Sequence, residues 1–509
     1  MCSIGGVTDR DSYNLVNSML DIQKHRAPDE KGVYKDENIT LGMGRLKIID
    51  LISENLCPYI NEDLVLSFNG EIYNFKQLKK ELQILGYKFK TQSDTEVLAL
   101  AWHKWGTKVF SKINGMFAFA VYDIKKNKLY LARDIAGEKP LYYIQKNKKL
   151  YFASEAKSLI KKLSLTRKKP ITYGAFQHCL NETLFKDLFQ VPAANYLEYD
   201  LKSKKIVKVS EYWTLKKRKI NLKTYKEELE HLLKESIKLR TFCDVNYALY
   251  YSKGVDSSLL STFHNFKSKI YFNDQLNWKK DFLKNINKIA YHLDFPVGSL
   301  SSYPLWKLAE KTKKKNIKVV ISGEGADEIF GGYVRYMPIY TTWKLKNDFK
   351  NYVPLFDKFF QNYLDGFSSI TARNENIEVI MSKMKPIFEM FDDPINAMGY
   401  FDFKYVMPSL LQMGDRMASA FGIENRCPFL DKEIIEFGFS LPPEIKIRNF
   451  NQKDILKSIL KKRGLSEPLK LEKKGLTILY NQWFNQKDWN RANYFDFLNS
   501  RWKKSFQFS

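Results

Sequence analysis

Along residues 1–200 the apolar positions fall in short runs separated by turn residues. Residues 63–68 (DLVLSF) predict a strand that ends at the turn-forming pair Asn69-Gly70. Residues 75–85 repeat apolar positions three and four apart and stop at Gly86, which predicts a helix; residues 95–105 predict a second. Residues 115–123 (GMFAFAVYD) and 128–133 (KLYLAR) read as strands joined by a polar turn, and residues 152–155 end another. This half is expected to be α+β, with antiparallel sheets and flanking helices.

Residues 201–222 hold eight basic residues against Glu211 alone, a plausible basic linker over 206–222. Residues 223–240 then predict an amphipathic helix. From there the pattern changes to apolar strand, polar loop, helix, as in an α/β parallel sheet. Residues 246–251 and 318–322 are the clearest strands, and their ends carry SKGVDSS and SGEGADE. Ligands gather at the carboxyl ends of such strands, so both loops should face one crevice. The chain after residue 340 reads as mainly helical, without a repeat of fixed period.

With 44% hydrophobic and 15% aromatic residues in 509, the chain can bury sizeable cores in more than one domain. Eighteen uninterrupted apolar residues occur nowhere, and the start has no basic-then-apolar leader, so a cytoplasmic protein without a membrane span is expected. The net charge of +26 raises nucleic acid or an anionic membrane as partners. Yet its two concentrations, 157–170 and 201–222, lack the interleaved aromatics of a strand-binding platform, and no DNA-binding spacing accompanies them. Lysines spread over solvated faces are the expected reading, with no nucleic-acid partner. Cysteines at 2, 57, 179, 243 and 427 form no C-x-x-C pair, which argues against a disulfide framework or a zinc site.

Cys2 stands apart. If Met1 is removed, its thiol lies beside its own α-amine, whose ordinary pKa of about 7.7–8.0 suits a base near neutrality. The side-chain amide of Asn69 and the N–H of Gly70 can point at a developing oxyanion, although Asn-Gly equally makes a hairpin turn. Arg45 can clamp a carboxylate, and Glu71 with Asp94 can hold an ammonium. In the second half, the N–H groups of Ser252-Lys253-Gly254-Val255-Asp256-Ser257-Ser258 can cradle a pyrophosphate, and Asp256 can bind Mg²⁺. A helix cap after a turn would also use these residues. Glu324, Asp327 and Glu328 place three carboxylates in five positions, a density that calls for a cation.

Together these motifs resemble two joined families. Cys2-Ser3-Ile4-Gly5-Gly6, His25-Arg26-Ala27-Pro28-Asp29, Gly44-Arg45-Leu46-Lys47-Ile48-Ile49-Asp50, Asn69-Gly70-Glu71-Ile72-Tyr73-Asn74 and Ser93-Asp94-Thr95-Glu96 resemble the class II, N-terminal-nucleophile (Ntn) glutamine amidotransferases. The two nucleotide-type loops, with Gly331-Gly332-Tyr333, Asp415-Arg416 and the run from Gly422 to Asp431 (GIENRCPFLD), resemble the ATP-pyrophosphatase domain of asparagine synthetases. The pairing and order are similar to glutamine-hydrolysing asparagine synthetase. The resemblance implies an Ntn-hydrolase sandwich over 2–205 and a synthetase domain over 223–509, with helices at its C-terminal end.

It further implies that Cys2 attacks the glutamine amide, that Asn69 and Gly70 form the oxyanion hole, and that Arg45, Ile49, Glu71 and Asp94 hold glutamine. ATP would lie against Tyr251, Ser252, Lys253, Gly254, Asp256, Ser257, Ser258, Phe272, Ser322 and Gly323, with Mg²⁺ on Asp256 and Asp327. Glu324 would contact the acceptor, and Lys453 would stabilise phosphate charge. Aspartate, activated as an acyl-adenylate, would receive ammonia through an internal tunnel. The implied partners are these small molecules and a second copy of the chain in a homodimer.

The pattern also departs from the family. Lys253 stands where the pyrophosphate loop has glycine, and Ala27 replaces a loop glycine. Only a short polar segment, 273–281, separates the strand at 269–272 from the next helix, so a βα unit is expected to be missing. Glu472-Lys473-Lys474-Gly475 follows the family's basic pattern loosely. Two alternatives stay open: the same machinery acting on another carboxylate such as a sugar acid, and a glutaminase or regulatory protein with an impaired synthetase site.

Overall fold

The computed structural model describes residues 1–54, 56–168, 181–272, 278–297, 299–346, 377–449, 451–470 and 491–506. Counts and absences below refer to these residues. Twelve strands build the first half: β1 (Ser3–Val7), β2 (Glu30–Lys35), β3 (Thr40–Arg45), β4 (Tyr59–Ile60), β5 (Leu64–Ile72), β6 (Gly115–Asp123), β7 (Lys128–Arg133), β8 (Tyr142–Lys146), β9 (Lys149–Ala153), β10 (Leu188–Gln190), β11 (Asn195–Asp200) and β12 (Lys205–Glu211). They form two six-stranded sheets, ordered β10-β8-β9-β1-β3-β2 and β12-β11-β7-β6-β5-β4. Every pairing within them is antiparallel.

Ile4, Leu41 and Phe152 from one sheet pack with Val65, Ala118, Leu131 and Leu197 from the other, all fully buried. Period-2 alternation puts these side chains between the sheets and leaves the opposite faces for helices. Tyr13–Ile22 covers β1 and β3, while Asp94–Trp105 covers β5. The result is the expected antiparallel sandwich with helices outside.

Two expectations are corrected here. The strand predicted to stop at Asn69-Gly70 continues to Ile72, because β5 pairs with β6 through Asn69↔Ala118, Gly70↔Phe117 and Glu71↔Met116. Gly70 has φ +153°, and a Cβ there would lie 2.1 Å from the Met116 carbonyl oxygen. The glycine thus answers a close backbone approach inside a sheet, not a turn. Second, the stretch 206–222 expected as a linker begins with β12, which pairs with β11 from Asn195↔Glu211 to Asp200↔Lys205. Exposed lysines on an edge strand gave that stretch its linker-like composition.

The helix Tyr225–Arg240 then buries Leu229, Leu233 and Ile237. A four-stranded parallel sheet follows, ordered β14 (Lys269–Ile270), β13 (Tyr247–Tyr250), β15 (Val319–Ile321), β16 (Glu424–Arg426). β14 is an edge, and the helix Trp278–His292 comes next in the described chain. Residues 273–277 of the shortened segment, and 472–475, lie outside the described residues. Helices dominate the remainder, among them Ile377–Met390, Pro394–Phe401, Met407–Ser419 and Arg491–Ser505. No described helix is long and apolar enough to cross a membrane.

Candidate active sites

β1 and β5 bring Cys2 to Asn69. The Cys2 backbone nitrogen donates to Asn69 Oδ1 at 3.0 Å, and Asn69 Nδ2 is buried without a hydrogen-bond partner. A buried donor without an acceptor costs about 1–3 kcal/mol. Its place beside the thiol suits a group that receives negative charge only during reaction. Burial pushes the Cys2 thiol up, against the pull of the nearby terminal ammonium. In this chain that ammonium belongs to Met1 and lies 3.4 Å from Glu424.

Arg45 acts on the thiol, and Glu71 and Asp94 lie in the same buried cluster of charges. Arg45 is buried: Nη2 reaches Ile49 O at 3.0 Å and Asp50 O at 2.7 Å, and Nη1 reaches Ser53 O at 3.3 Å and the Glu30 carboxylate at 3.4 Å. It therefore shapes the segment 49–53. Asp94 accepts from the Ile72 N–H at 2.9 Å, and burial pushes its carboxyl up to about 6. Glu71 faces Arg426 of the second half at 2.9 Å. Burial holds Glu71 well above the usual carboxylate range despite that guanidinium.

The two nucleotide-type loops also converge, at Lys453. Its Nζ lies 2.7 Å from both oxygens of Asp256 and 2.8 Å from Asp327 Oδ1. Burial opposes the ammonium, but the two aspartates raise its pKa above the ordinary lysine value. Two carboxylates focused on one cation form an oxygen donor set that suits Mg²⁺. Gly323 allows this closeness, since a Cβ there would sit 3.0 Å from Asp256 Cβ.

The pyrophosphate-type loop is tied internally by Ser252 Oγ to Ser257 Oγ at 3.1 Å and by Gly254 N–H to Ser252 Oγ at 3.3 Å. The following helix, Val255–Phe263, has no side-chain cap, so its first N–H groups remain for an anion. Lys253 is exposed at φ +63°, in the left-handed region that favours glycine. Tyr251 Oη accepts from Ser258 Oγ at 3.2 Å, and Phe272 packs edge-on to Trp278 at 4.6 Å.

Glu324 is gripped through one oxygen. Ser322 Oγ at 3.0 Å, Asn425 Nδ2 at 2.6 Å and Cys427 Sγ at 3.2 Å all donate to Oε2. Asn425 and Cys427 were not foreseen as site residues, nor were Glu424 and Arg426. All four belong to the run read from sequence only as a family mark. Strand alternation assigns them: Glu424 and Arg426 face Met1, Cys2 and Glu71, while Asn425 and Cys427 face Glu324. One strand thus forms the wall between two sites. Burial works against the Glu424 carboxylate, but the Met1 ammonium and Arg426 hold it at about 2.

Arg26 belongs to a family motif to which the sequence assigns no role. It donates from Nε to Cys2 O at 2.8 Å, from Nη1 to Glu155 at 2.7 Å and to Asp415 at 3.3 Å. Neighbouring buried pairs, Lys157–Asp294 and Arg416–Asp294, extend this network across the two halves.

Comparison with known proteins agrees with both halves. The glutamine amidotransferase domain model matches residues 1–213, and the asparagine synthase model matches residues 273–496. Asparagine synthetase [glutamine-hydrolyzing] 1 of Bacillus subtilis is 28% identical, over 96% of this chain and 89% of its own length. Putative asparagine synthetase [glutamine-hydrolyzing] 2 of Methanocaldococcus jannaschii is 30% identical over 66% of this chain and 76% of its own length. Asparagine synthetase [glutamine-hydrolyzing] 3 of B. subtilis is 26% identical over 90% and 84%.

Proposed function

Because this chain belongs to the glutamine-hydrolysing asparagine synthetases, a family of ATP-dependent ligases, we propose that it makes asparagine from aspartate, with glutamine as nitrogen donor. Its working division is an amidotransferase unit that runs from residue 2 through β12 to Glu211 and a synthetase unit over 223–509.

At the first site, removal of Met1 frees the Cys2 α-amine, which takes the thiol proton as Sγ attacks the glutamine side-chain carbonyl. Asn69 Nδ2 and the Gly70 N–H stabilise the oxyanion. Arg45 and the Ile49 segment receive the substrate carboxylate, and Glu71 with Asp94 its ammonium. The amine returns that proton as ammonia leaves, and water then hydrolyses the Cys2 thioester to release glutamate and restore the thiol.

At the second site, the aspartate side-chain carboxylate attacks the α-phosphorus of ATP and pyrophosphate leaves. The first N–H groups of the helix Val255–Phe263 and the Lys453 ammonium balance the phosphate charge. Tyr251, Phe272, Ser322 and Gly323 border the nucleotide. Asp256 and Asp327 are the residues that would hold Mg²⁺, which supplies further charge neutralisation to the triphosphate. Ammonia then attacks the aspartyl-adenylate carbonyl, Glu324 takes a proton, and AMP departs.

The observation that carries this reading is the Cys2–Asn69 contact beside an unpartnered Asn69 Nδ2, one strand away from Glu324. One incubation with glutamine, aspartate and Mg-ATP tests it, by following glutamate, asparagine, AMP and pyrophosphate together. Asparagine and AMP in equal amounts are expected. Glutamate without AMP overturns the asparagine reading, and AMP appearing only with another carboxylate reassigns the acceptor.

A further inference from the structure

β16 separates Cys2 from Glu324, so ammonia made on one side must pass beside it. Buried polar atoms without hydrogen-bond partners cluster along this wall. Tyr73 Oη is one; its ring lies under the Arg240 guanidinium at 4.3 Å and within 5.9 Å of that of Arg426. Glu138 Oε2 is the second and Asn425 Oδ1 the third. Glu138 is 7% exposed and Asn425 8%, so bulk water does not satisfy either.

Their positions are imposed from outside. Asp134 accepts from the N–H groups of Ala136, Glu138 and Lys139 at 2.9–3.1 Å and fixes the loop that carries Glu138. Lys139 Nζ ties that loop to the Asn425 carbonyl at 3.4 Å. Asn425 is oriented by its Nδ2 contact to Glu324, which leaves Oδ1 without a partner. Orphaned buried acceptors in a rigid setting call for a transient polar occupant. Ammonia, with three N–H bonds and one lone pair, has the matching chemistry.

We propose that Glu138 and Asn425 hold ammonia on its way from Cys2 to Glu324; the inference rests on the function proposed above. Glu138 also lies within the fields of Asp134, Arg240, Lys139 and Glu324. Burial pushes its carboxyl up to about 8. At neutral pH it therefore keeps its proton, so it offers a donor and an acceptor without the full charge that would trap ammonium.

The test supplies amide-¹⁵N glutamine, aspartate and Mg-ATP in the presence of excess unlabelled ammonium. It reads the ¹⁵N share of the asparagine amide in wild type, Glu138→Leu and Glu138→Gln. Wild type should incorporate mainly ¹⁵N. Glu138→Leu should lower that share several-fold while glutamate release and ammonia-driven synthesis stay within twofold of wild type. Glu138→Gln should restore most of it, because an amide also donates and accepts. An unchanged ¹⁵N share in Glu138→Leu overturns the inference, as does a fall of all three activities together. A wild type that releases glutamate but forms no amide overturns the function proposed above and this inference with it; wild-type channelling that survives Glu138→Leu overturns the inference alone.

Discussion

Lys453 Nζ lies 2.7 Å from both carboxylate oxygens of Asp256 and 2.8 Å from Asp327 Oδ1, and so joins the two loops that sequence placed at separate strand ends. The residue holds this position from φ +54° at the start of the helix Asp454–Lys462. Removing its charge takes away the ammonium that Asp256 and Asp327 share. Lys453→Ala should cut pyrophosphate release by roughly 10²–10³-fold, the scale of a lost transition-state charge partner. Glutamate release should persist. Parallel assays of the two products check this, and unaltered pyrophosphate release would remove Lys453 from the chemistry.

Cys2→Ala should abolish glutamine hydrolysis while synthesis from free ammonium continues. Mass analysis of the purified wild type should find Cys2 at the N-terminus. A chain that keeps Met1 and still hydrolyses glutamine would rule out the α-amine as base.

Asp94 gives a pH-dependent stability. Its carboxyl loses its proton near 6 in the folded protein, but near 3.8 when unperturbed. The folded state is therefore the stronger proton binder, and stability falls as pH rises from about 4 to about 6. At pH 7 the full cost is on the order of 2–3 kcal/mol. Asp94→Asn keeps an acceptor for the Ile72 N–H and should raise Tm at pH 7.5, with little change near pH 4. Glutamine should bind it more weakly. Equal Tm shifts at both pH values would show that the carboxylate charge is not the cause.

Gly70→Ala forces a Cβ to within 2.1 Å of a sheet carbonyl. The β5–β6 pairing cannot yield without moving Asn69, so a loss of more than ~3 kcal/mol and of glutaminase activity is expected. Urea unfolding with an activity assay measures both; a wild-type midpoint would mean that the strand shifts freely.

Lys253→Gly should act on stability and on nucleotide use in opposite directions. Glycine removes a left-handed Cβ penalty of about 1 kcal/mol, which urea unfolding would register as a gain. If the ammonium meets the phosphates, the KM for ATP should rise with little change in glutaminase. A KM that stays the same assigns Lys253 no part in nucleotide binding.

The elements with strong periodicity were readable residue by residue. β6 and β7 occupy the predicted spans 115–123 and 128–133, and the two loops fall at parallel-strand ends as expected. Asn69-Gly70 was misread as a turn because local propensity knows nothing of the Met116 carbonyl that requires a glycine inside a sheet. β12 was taken into the linker because edge-strand lysines look like linker lysines.

Motif order along the chain was enough to determine the family, since its motifs each sit in short contiguous runs. What joins them is decided only by tertiary structure. Glu71 meets Arg426 and Arg26 meets Asp415 across separations of hundreds of residues, and no local pattern encodes such pairs. The three residues of β16 carry no periodic signal long enough to show which face each side chain takes. Packing that strand between the two halves is what turns Glu424 and Arg426 toward Cys2, Asn425 toward Glu324, and leaves buried acceptors between them.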